Sequence, residues 1–176
     1  MAREIGSTVR SVQNYFQILE DTLVGFYLEP FHQSIRKSQL LSPKFYFFDC
    51  GVKRSLDKSI RQVLLEETSV FGELFEHWVI QECFRLNSYN ESDFSFSYYA
   101  SKNNVEIDLI PSRGKERVFV EIRSSRKIDD LKVDRFRRAA QGLKAKNVYF
   151  VSRDERSLDL DNVKCRHWSK FLEEVF

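Results

Sequence analysis

The sequence predicts an α/β (α+β) protein whose core has the order α-β-β-β-α-β, preceded by a helix and a two-stranded segment. A long helical stripe of apolar residues begins at Phe71, and three runs rich in β-branched and aromatic residues follow it. A second amphipathic helix and a fourth strand complete the order. The 176 residues are enough for one sizeable core or for two small domains.

The composition is that of a globular protein, with 42% hydrophobic residues and a formal net charge of +2. A charge this small does not by itself predict nucleic-acid binding, so a basic surface must come from local clustering. Cys50, Cys83 and Cys165 lie far apart, which excludes the short spacing of zinc sites and favours free thiols in a reducing compartment. We find no signal peptide and no stretch near the roughly 20 apolar residues of a membrane-spanning helix. We therefore expect a cytoplasmic protein without a membrane partner.

The N-terminal segment predicts an amphipathic helix. Ser7 and Thr8 are good N-cap residues, and Gly25 is suited to stop the helix. Apolar residues recur between them at steps of three and four positions: Val9, Val12, Phe16, Leu19 and Leu23.

Two strands are predicted after this helix. They cover an apolar piece at residues 26–28 and an aromatic run at 44–49, with a polar segment at 32–42 between them. This order matches the second half of a winged helix, with residues 2–7 as the turn before its recognition helix. A helix packed on a plain hairpin is the alternative. Arg10 is the only basic residue in the first two helical turns, so packing or interaction is as good an explanation as DNA reading.

The C-terminal segment supplies the remaining elements. Its predicted features, in chain order, are a helix from Phe71 to Phe84, strands at 94–100, 105–110 and 117–123 with a turn at 111–116, a helix capped by Asp129 or Asp130 with Leu131, Phe136, Ala140 and Leu143 inside, a strand at 147–151, and a short strand and helix within 163–176. We also expect a helical stretch around 60–65. Trp78 and Trp168 are expected in the core, and His77 and His167 are expected to be packing or surface residues.

Two charged residues interrupt an otherwise apolar strand near the middle of this segment. Glu121 and Arg123 are two positions apart, so they lie on one face of the strand. Asp108 is in the preceding strand, and a hairpin brings it within reach of the same cation as Glu121. Adjacent buried carboxylates repel each other, and a metal ion is a common reason for tolerating them. An exposed ion pair between Glu121 and Arg123 is the alternative.

These residues resemble the PD-(D/E)XK nuclease superfamily, which has a restriction-endonuclease-like α-β-β-β-α-β core. The resemblance is carried by Glu76 in the helical segment 72–76, Asp108 in 106–110 and Glu121 and Arg123 in 120–123. It implies that Asp108 and Glu121, with Glu76, hold Mg²⁺ or Mn²⁺ for phosphodiester cleavage. Arg123 stands where the motif has Lys, and an arginine cannot act as a proton acceptor. Glu76 as a salt-bridged surface residue is the alternative, and Glu106 is a further acidic neighbour.

The whole chain also resembles the uncharacterised winged-helix plus nuclease-like C-terminal region of predicted prokaryotic AAA-type ATPases. Residues 12–15, 18–23, 43–51 and 72–76 carry this resemblance, which implies an attached ATPase module or subunit and a fragment of a longer protein. The chain has no P-loop of its own, because Asp57 stands where that motif needs a second glycine.

The resulting domain prediction is a partial winged helix at residues 1–50, a connection at 51–70 and a nuclease-like domain at 71–176. Basic residues follow the acidic motif, as a phosphodiester substrate would require, and an ordinary solvated helix face is the alternative. The nucleic-acid-binding candidates are Arg126, Lys127, Lys132, Arg135 and Arg138. Gln141 is a weaker candidate. The predicted function is DNA binding with metal-dependent cleavage; the alternative is a catalytically inactive module for DNA binding or ATPase regulation.

Overall fold

The computed structural model describes residues 6–31, 42–101 and 105–176. Its helices are Val9–Asp21 (α1), Cys50–Leu56 (α2), Ser69–Tyr89 (α3), Asp130–Gly142 (α4) and Trp168–Val175 (α5). Its strands are Gly25–Pro30 (β1), Lys44–Phe47 (β2), Ser95–Ala100 (β3), Glu106–Arg113 (β4), Glu116–Ile122 (β5), Asn147–Ser152 (β6), Leu158–Leu160 (β7) and Val163–His167 (β8). The predicted core order is confirmed as α3-β3-β4-β5-α4-β6.

These strands form one mixed sheet of order β2-β1-β3-β4-β5-β6-β8-β7. β4 lies antiparallel between β3 and β5, whereas β5, β6 and β8 run parallel to one another. Strand β7 closes one edge, and β1 and β2 extend the other. The chain is therefore a mixed α/β protein in which the central strands are covered on both faces.

Each face of the sheet has its own hydrophobic cluster. One cluster packs α3 and α5 on the sheet and includes Val79, Ile80, Cys83, Phe171, Leu109, Val120 and Val151. The other packs α4 on the sheet and includes Val133, Phe136, Ala140, Ile107, Phe119 and Phe150. Successive residues of β5 alternate between the clusters, since side chains along a strand point to opposite faces. Glu121 therefore shares the α4 face with Phe119.

The first helix begins as predicted and ends differently. Thr8 is its N-cap, and the Thr8 hydroxyl accepts a hydrogen bond from the Ser11 backbone N–H at 3.1 Å. The predicted stop at Gly25 is wrong, because Thr22 caps the helix and Leu23 takes the left-handed conformation with φ of 59°. Gly25 instead begins β1, where Phe45 and the backbone of Tyr46 pack against its α-carbon.

Two further predicted boundaries are wrong. The helical stretch expected at 60–65 lies earlier, in α2, whose N-cap is Asp49. The Arg54 guanidinium donates to the backbone carbonyls of Ser59, Ile60 and Gln62, which holds this stretch in a turn. The turn expected at 111–116 is shorter, because β4 continues through Pro111 to Arg113 and pairs with β3 there.

The predicted buried face of α4 is correct at two positions and wrong at a third. Phe136 and Ala140 are buried in α4 as expected, but Leu131 is 83% exposed. The buried face of α4 begins at Val133. Leu131 is two positions earlier, which rotates its side chain by more than half a turn, so it points away from the buried face. His77 is a packing residue as predicted, because it is buried and its ring contacts the Tyr46 ring. The His77 Nε2 atom lies 2.6 Å from the Phe47 carbonyl oxygen, and burial lowers the pKa of His77.

The N-terminal strands belong to the same sheet as the C-terminal ones. β1 pairs antiparallel with β2 and parallel with β3, where Glu29 and Pro30 lie opposite Ser97 and Tyr98. The winged-helix interpretation and the division into residues 1–50, 51–70 and 71–176 stay predictions. The predicted turn at 2–7 and polar segment at 32–42 fall mostly outside the described residues. Across the described residues, no helix is both long enough and apolar enough to span a membrane.

We expect Gly25→Ala to destabilise the protein by roughly 1–3 kcal/mol, because a methyl group there would overpack the hairpin. A Cβ atom at Gly25 would lie 2.6 Å from the Tyr46 carbonyl oxygen and would also overlap the Phe45 ring. Urea unfolding measures the loss. Gly142→Ala is the control, because nothing lies within 4 Å of a Cβ atom there. Equal unfolding midpoints for the two variants would contradict this account of the hairpin.

Candidate functional site

The antiparallel pairing of β4 and β5 brings Asp108 and Glu121 together. Leu109 pairs with Val120, so Asp108 and Glu121 occupy the next positions along the two strands. Both side chains are buried, with residue exposures of 3% and 6%. The Asp108 Oδ2 atom accepts a hydrogen bond of 2.8 Å from the Ile122 backbone N–H. The two predicted carboxylates therefore lie side by side within the sheet.

Arg123 is the counter-charge of this pair. Its guanidinium forms an ion pair with Glu121, and its Nη1 atom lies 3.8 Å from the Asp108 Oδ2 atom. The Arg123 side chain is 41% exposed, whereas the two carboxylates are buried. Arg123 thus contacts the carboxylates and solvent at once, which differs from an ion pair on a fully solvated strand.

Burial changes the protonation of both carboxyl groups. It raises the pKa of Asp108 well above its ordinary value, and the charges of Glu121 and Glu76 raise it further. Burial also raises the pKa of Glu121 to about 7, although Arg123 acts in the opposite direction. Two adjacent carboxyl groups of this kind titrate as a pair, and burial favours their protonated forms.

Glu76 reaches the same cluster from α3. The Tyr46 hydroxyl donates a hydrogen bond of 3.0 Å to the Glu76 Oε1 atom, and Lys44 lies 3.7 Å from that atom. Its side chain is only 22% exposed, and its charge contributes to the raised pKa of both Asp108 and Glu121. The structure therefore brings Glu76 together with the two strand carboxylates.

Two residues of β2 at this cluster were missed from the sequence. The Lys44 Nζ atom lies 2.6 Å from the Glu106 Oε1 atom, and Tyr46 binds Glu76 as described. Positions 44 and 46 share one strand face, so alternation along β2 would have grouped them. Nothing in the local sequence indicated that side chains of β2 reach Glu76 on α3 and Glu106 at the start of β4.

The predicted metal site depends on the carboxylate oxygens of Asp108 and Glu121. Among the described residues, no group of three or more His, Cys, Asp or Glu side chains is arranged to hold a metal ion. Asp108 and Glu121 are nevertheless two adjacent oxygen donors, and Mg²⁺ is often held by one or two carboxylates with several waters. Arg123 contacts these donors, so a cation would have to compete with its guanidinium. Metal binding by Asp108 and Glu121 therefore stays a prediction.

A cleft of about 950 Å³ joins the acidic cluster to α4. The sheet side of the cleft contributes Glu121, Arg123 and Glu106. The α4 side contributes basic residues at every third position, which places them on one helix face: Lys132, Arg135 and Arg138. Three of the five predicted nucleic-acid-binding residues thus line the same cleft as Glu121 and Arg123.

The other two predicted basic residues lie elsewhere. Arg126 is engaged by both carboxylate oxygens of Glu66, each at 2.9 Å, and Arg153 binds the same carboxylate. Lys127 is exposed, and it does not line the cleft. Gln141 is also exposed and outside the cleft lining. Arg126 therefore ties the connecting segment to the end of β5.

A family described as Domain of unknown function (DUF4143) matches residues 71–171, more than half of the chain. The chain belongs to this family. A second family, described as Domain of unknown function (DUF8612), matches residues 1–62. Asp108, Glu121 and Arg123 lie within the DUF4143 match, whereas Lys44 and Tyr46 lie within the DUF8612 match.

Two curated relatives are similar to part of the chain. They are an uncharacterized protein of Mycobacterium bovis and an uncharacterized protein of Mycobacterium tuberculosis, each 28% identical over 109 residues. The match covers 62% of this chain and 24% of each relative, so the chain spans about a quarter of their length. No solved structure gives a significant match.

We expect the free energy of unfolding to fall by about 2 kcal/mol between pH 5.5 and pH 8 because of Glu121 alone. Its folded-state pKa of about 7 exceeds the ordinary value of 4.5, so the stabilisation is complete below pH 4.5 and is lost as pH rises through 7. The raised pKa of Asp108 acts with the same sign. Urea unfolding at both pH values measures the effect.

Glu121→Gln should remove most of the Glu121 share of this pH dependence, since glutamine does not titrate. The matched control is Glu116→Gln at the exposed start of β5, which should keep the wild-type profile. An unchanged pH dependence in Glu121→Gln would contradict the assignment.

Proposed function

We propose that this chain binds nucleic acid, with DNA as the expected substrate, in the cleft between the sheet and α4. The composition of the cleft carries the proposal, because Lys132, Arg135 and Arg138 line it together with Arg123. Clustered Lys and Arg side chains bind phosphate groups. The affinity of a protein for nucleic acid therefore depends on the local charge of its binding surface more than on its net charge.

Acidic residues in and beside the cleft form ion pairs with its basic residues. Asp134 forms ion pairs with Arg137 and Arg138, and Lys132 lies 3.8 Å from Asp129. Arg138 is nevertheless 74% exposed, so its guanidinium can exchange an intramolecular partner for a phosphate with little desolvation. The basic face of α4 is therefore available for a polyanion beside the buried carboxylates.

We expect Arg135→Gln and Arg138→Gln each to weaken DNA binding and to reduce its salt dependence by about one unit of log–log slope. Fluorescence anisotropy with labelled single-stranded and double-stranded DNA at several salt concentrations gives both quantities. Arg113→Gln is the control, because Arg113 is a half-exposed, ion-paired arginine at the β4–β5 turn. The proposal would be contradicted if the wild-type protein did not bind DNA. It would also be contradicted if the log–log salt slope were the same in all three variants.

A second proposal is metal-dependent phosphodiester cleavage on a restriction-endonuclease-like fold. The buried pair of Asp108 and Glu121 favours it, because one guanidinium does not offset the cost of two adjacent buried carboxylates. The α3-β3-β4-β5-α4-β6 order supports the fold assignment. A bound Mg²⁺ or Mn²⁺ would supply an activated water and charge neutralisation at the phosphate.

Each residue of this proposed site has a separate role. Asp108 and Glu121 would hold the metal, and Glu76 would assist as a further ligand or by orienting a water. Arg123 would hold a phosphate oxygen through its fork of N–H donors, because the planar guanidinium matches phosphate oxygens in geometry. Arg123 also contacts both carboxylates and is therefore their counter-charge.

The alternative proposal is a non-catalytic module that binds DNA or regulates an attached ATPase. The ion pair between Arg123 and Glu121 favours it, since Arg123 already neutralises part of the carboxylate charge. The relatives are about four times longer than the matched segment, which leaves room for another module in those proteins.

We expect wild-type protein to cleave labelled DNA with Mn²⁺, and Asp108→Asn to lower the rate by roughly 100-fold or more. Asparagine keeps an oxygen acceptor for the Ile122 N–H, so the loss would report the missing charge and not a lost fold. A gel assay on single-stranded and double-stranded DNA measures the rate.

Arg123→Lys separates the two proposals about catalysis. Cleavage by the wild type identifies Arg123 as a functional substitute for lysine. Cleavage by Arg123→Lys alone identifies an inactive site on an intact scaffold. Absence of cleavage by both proteins would refute the catalytic proposal and favour the non-catalytic module.

A further inference from the structure

The β1–β2 hairpin places one lysine beside the acidic cluster. The Lys44 Nζ atom lies 2.6 Å from Glu106 and 3.7 Å from Glu76, and 5.0 Å from the centre of the Tyr98 ring. Glu106 is 51% exposed in its side chain and lines the cleft. Lys44 therefore contacts a lining residue of the cleft and lies at the cleft margin.

With respect to the residues that the structure describes, the Lys44 ammonium has donors left for another ligand. An ammonium group donates three hydrogen bonds, and the contact with Glu106 uses one of them. The distance of 3.7 Å to Glu76 is too long for a hydrogen bond. Although burial alone would lower the pKa of Lys44, Glu76 and Glu106 raise it above the ordinary value. The side chain is 30% exposed and stays charged.

The carboxylates on the sheet side of the cleft explain why a phosphate ligand would need a cation at the position of Lys44. The sheet side carries Glu106, Glu121 and the nearby Glu76, with Arg123 as the cation among the lining residues of that side. A phosphate approaching these carboxylates would be repelled, and a second cation beside them reduces the repulsion.

We propose that Lys44 is a phosphate-contacting residue of the nucleic-acid cleft, so that the N-terminal hairpin completes the interface formed by the DUF4143 part of the chain. The inference rests on the proposed nucleic-acid binding, and it adds a cation beside Glu106, at the cleft margin, to the basic residues of α4. The competing explanation is a structural counter-ion that only stabilises Glu76 and Glu106.

The test is the salt dependence of DNA binding in the full chain, with Ca²⁺ present so that binding is measured without turnover. We expect Lys44→Met and Lys44→Gln each to weaken binding roughly five- to tenfold and to lower the log–log salt slope by about one. Lys44→Arg should keep the wild-type slope, because it keeps the charge. Fluorescence anisotropy measures affinity, and circular dichroism checks the fold.

Lys53→Met is the matched control. Lys53 is 38% exposed and paired with Asp57 at 3.0 Å on α2, so its environment is close to that of Lys44 in exposure and pairing. It should bind DNA as the wild type does. If Lys44→Met loses the fold, Lys44→Gln decides the question, because its amide can still donate to Glu106.

The outcomes separate this inference from the proposed function. An unchanged slope in the Lys44 variants, together with a lowered slope in Arg135→Gln, would overturn the role of Lys44 and leave the cleft standing. A structural counter-ion gives that same pattern with a lowered unfolding temperature. Wild-type protein that does not bind DNA would overturn the proposed function and the role of Lys44 together.

Discussion

The candidate site depends on the hydrogen bond by which the Ile122 backbone N–H holds the buried carboxylate of Asp108. This bond and the antiparallel register of β4 with β5 fix Asp108 beside Glu121. A shift of one residue between the strands would turn Asp108 to the other face and replace it with an apolar neighbour. The raised pKa values and the position of Arg123 follow from this one placement.

Local sequence patterns predicted the part of the site that lies on adjacent strands. Strand alternation placed Glu121 beside Arg123, and a short turn was enough to bring Asp108 to them. The approach of Glu76 depends on how α3 lies across the sheet, which no local pattern encodes. Lys44 was missed for a stronger reason, since its position depends on the pairing of β1 with β3, far apart in the sequence.

The same distinction explains the fold predictions. Helix and strand order followed from periodicity, which is a local property. The helix expected at 60–65 was wrong because Arg54 binds carbonyl groups of that stretch, and Leu131 was misplaced because α4 presents Val133 to the sheet. In each case a contact formed by another part of the chain, or the rotation of a whole helix, decided the outcome.

The short pairing of β1 with β3 has a consequence for the order of folding. Among the described residues, Glu29 and Pro30 are the ones in register with β3, and their partners are synthesised after α2 and α3. During synthesis the hairpin emerges first and waits for its partner strand. Until the hairpin docks, β3 presents an open edge that another nascent chain could occupy, so docking also protects the growing protein from aggregation.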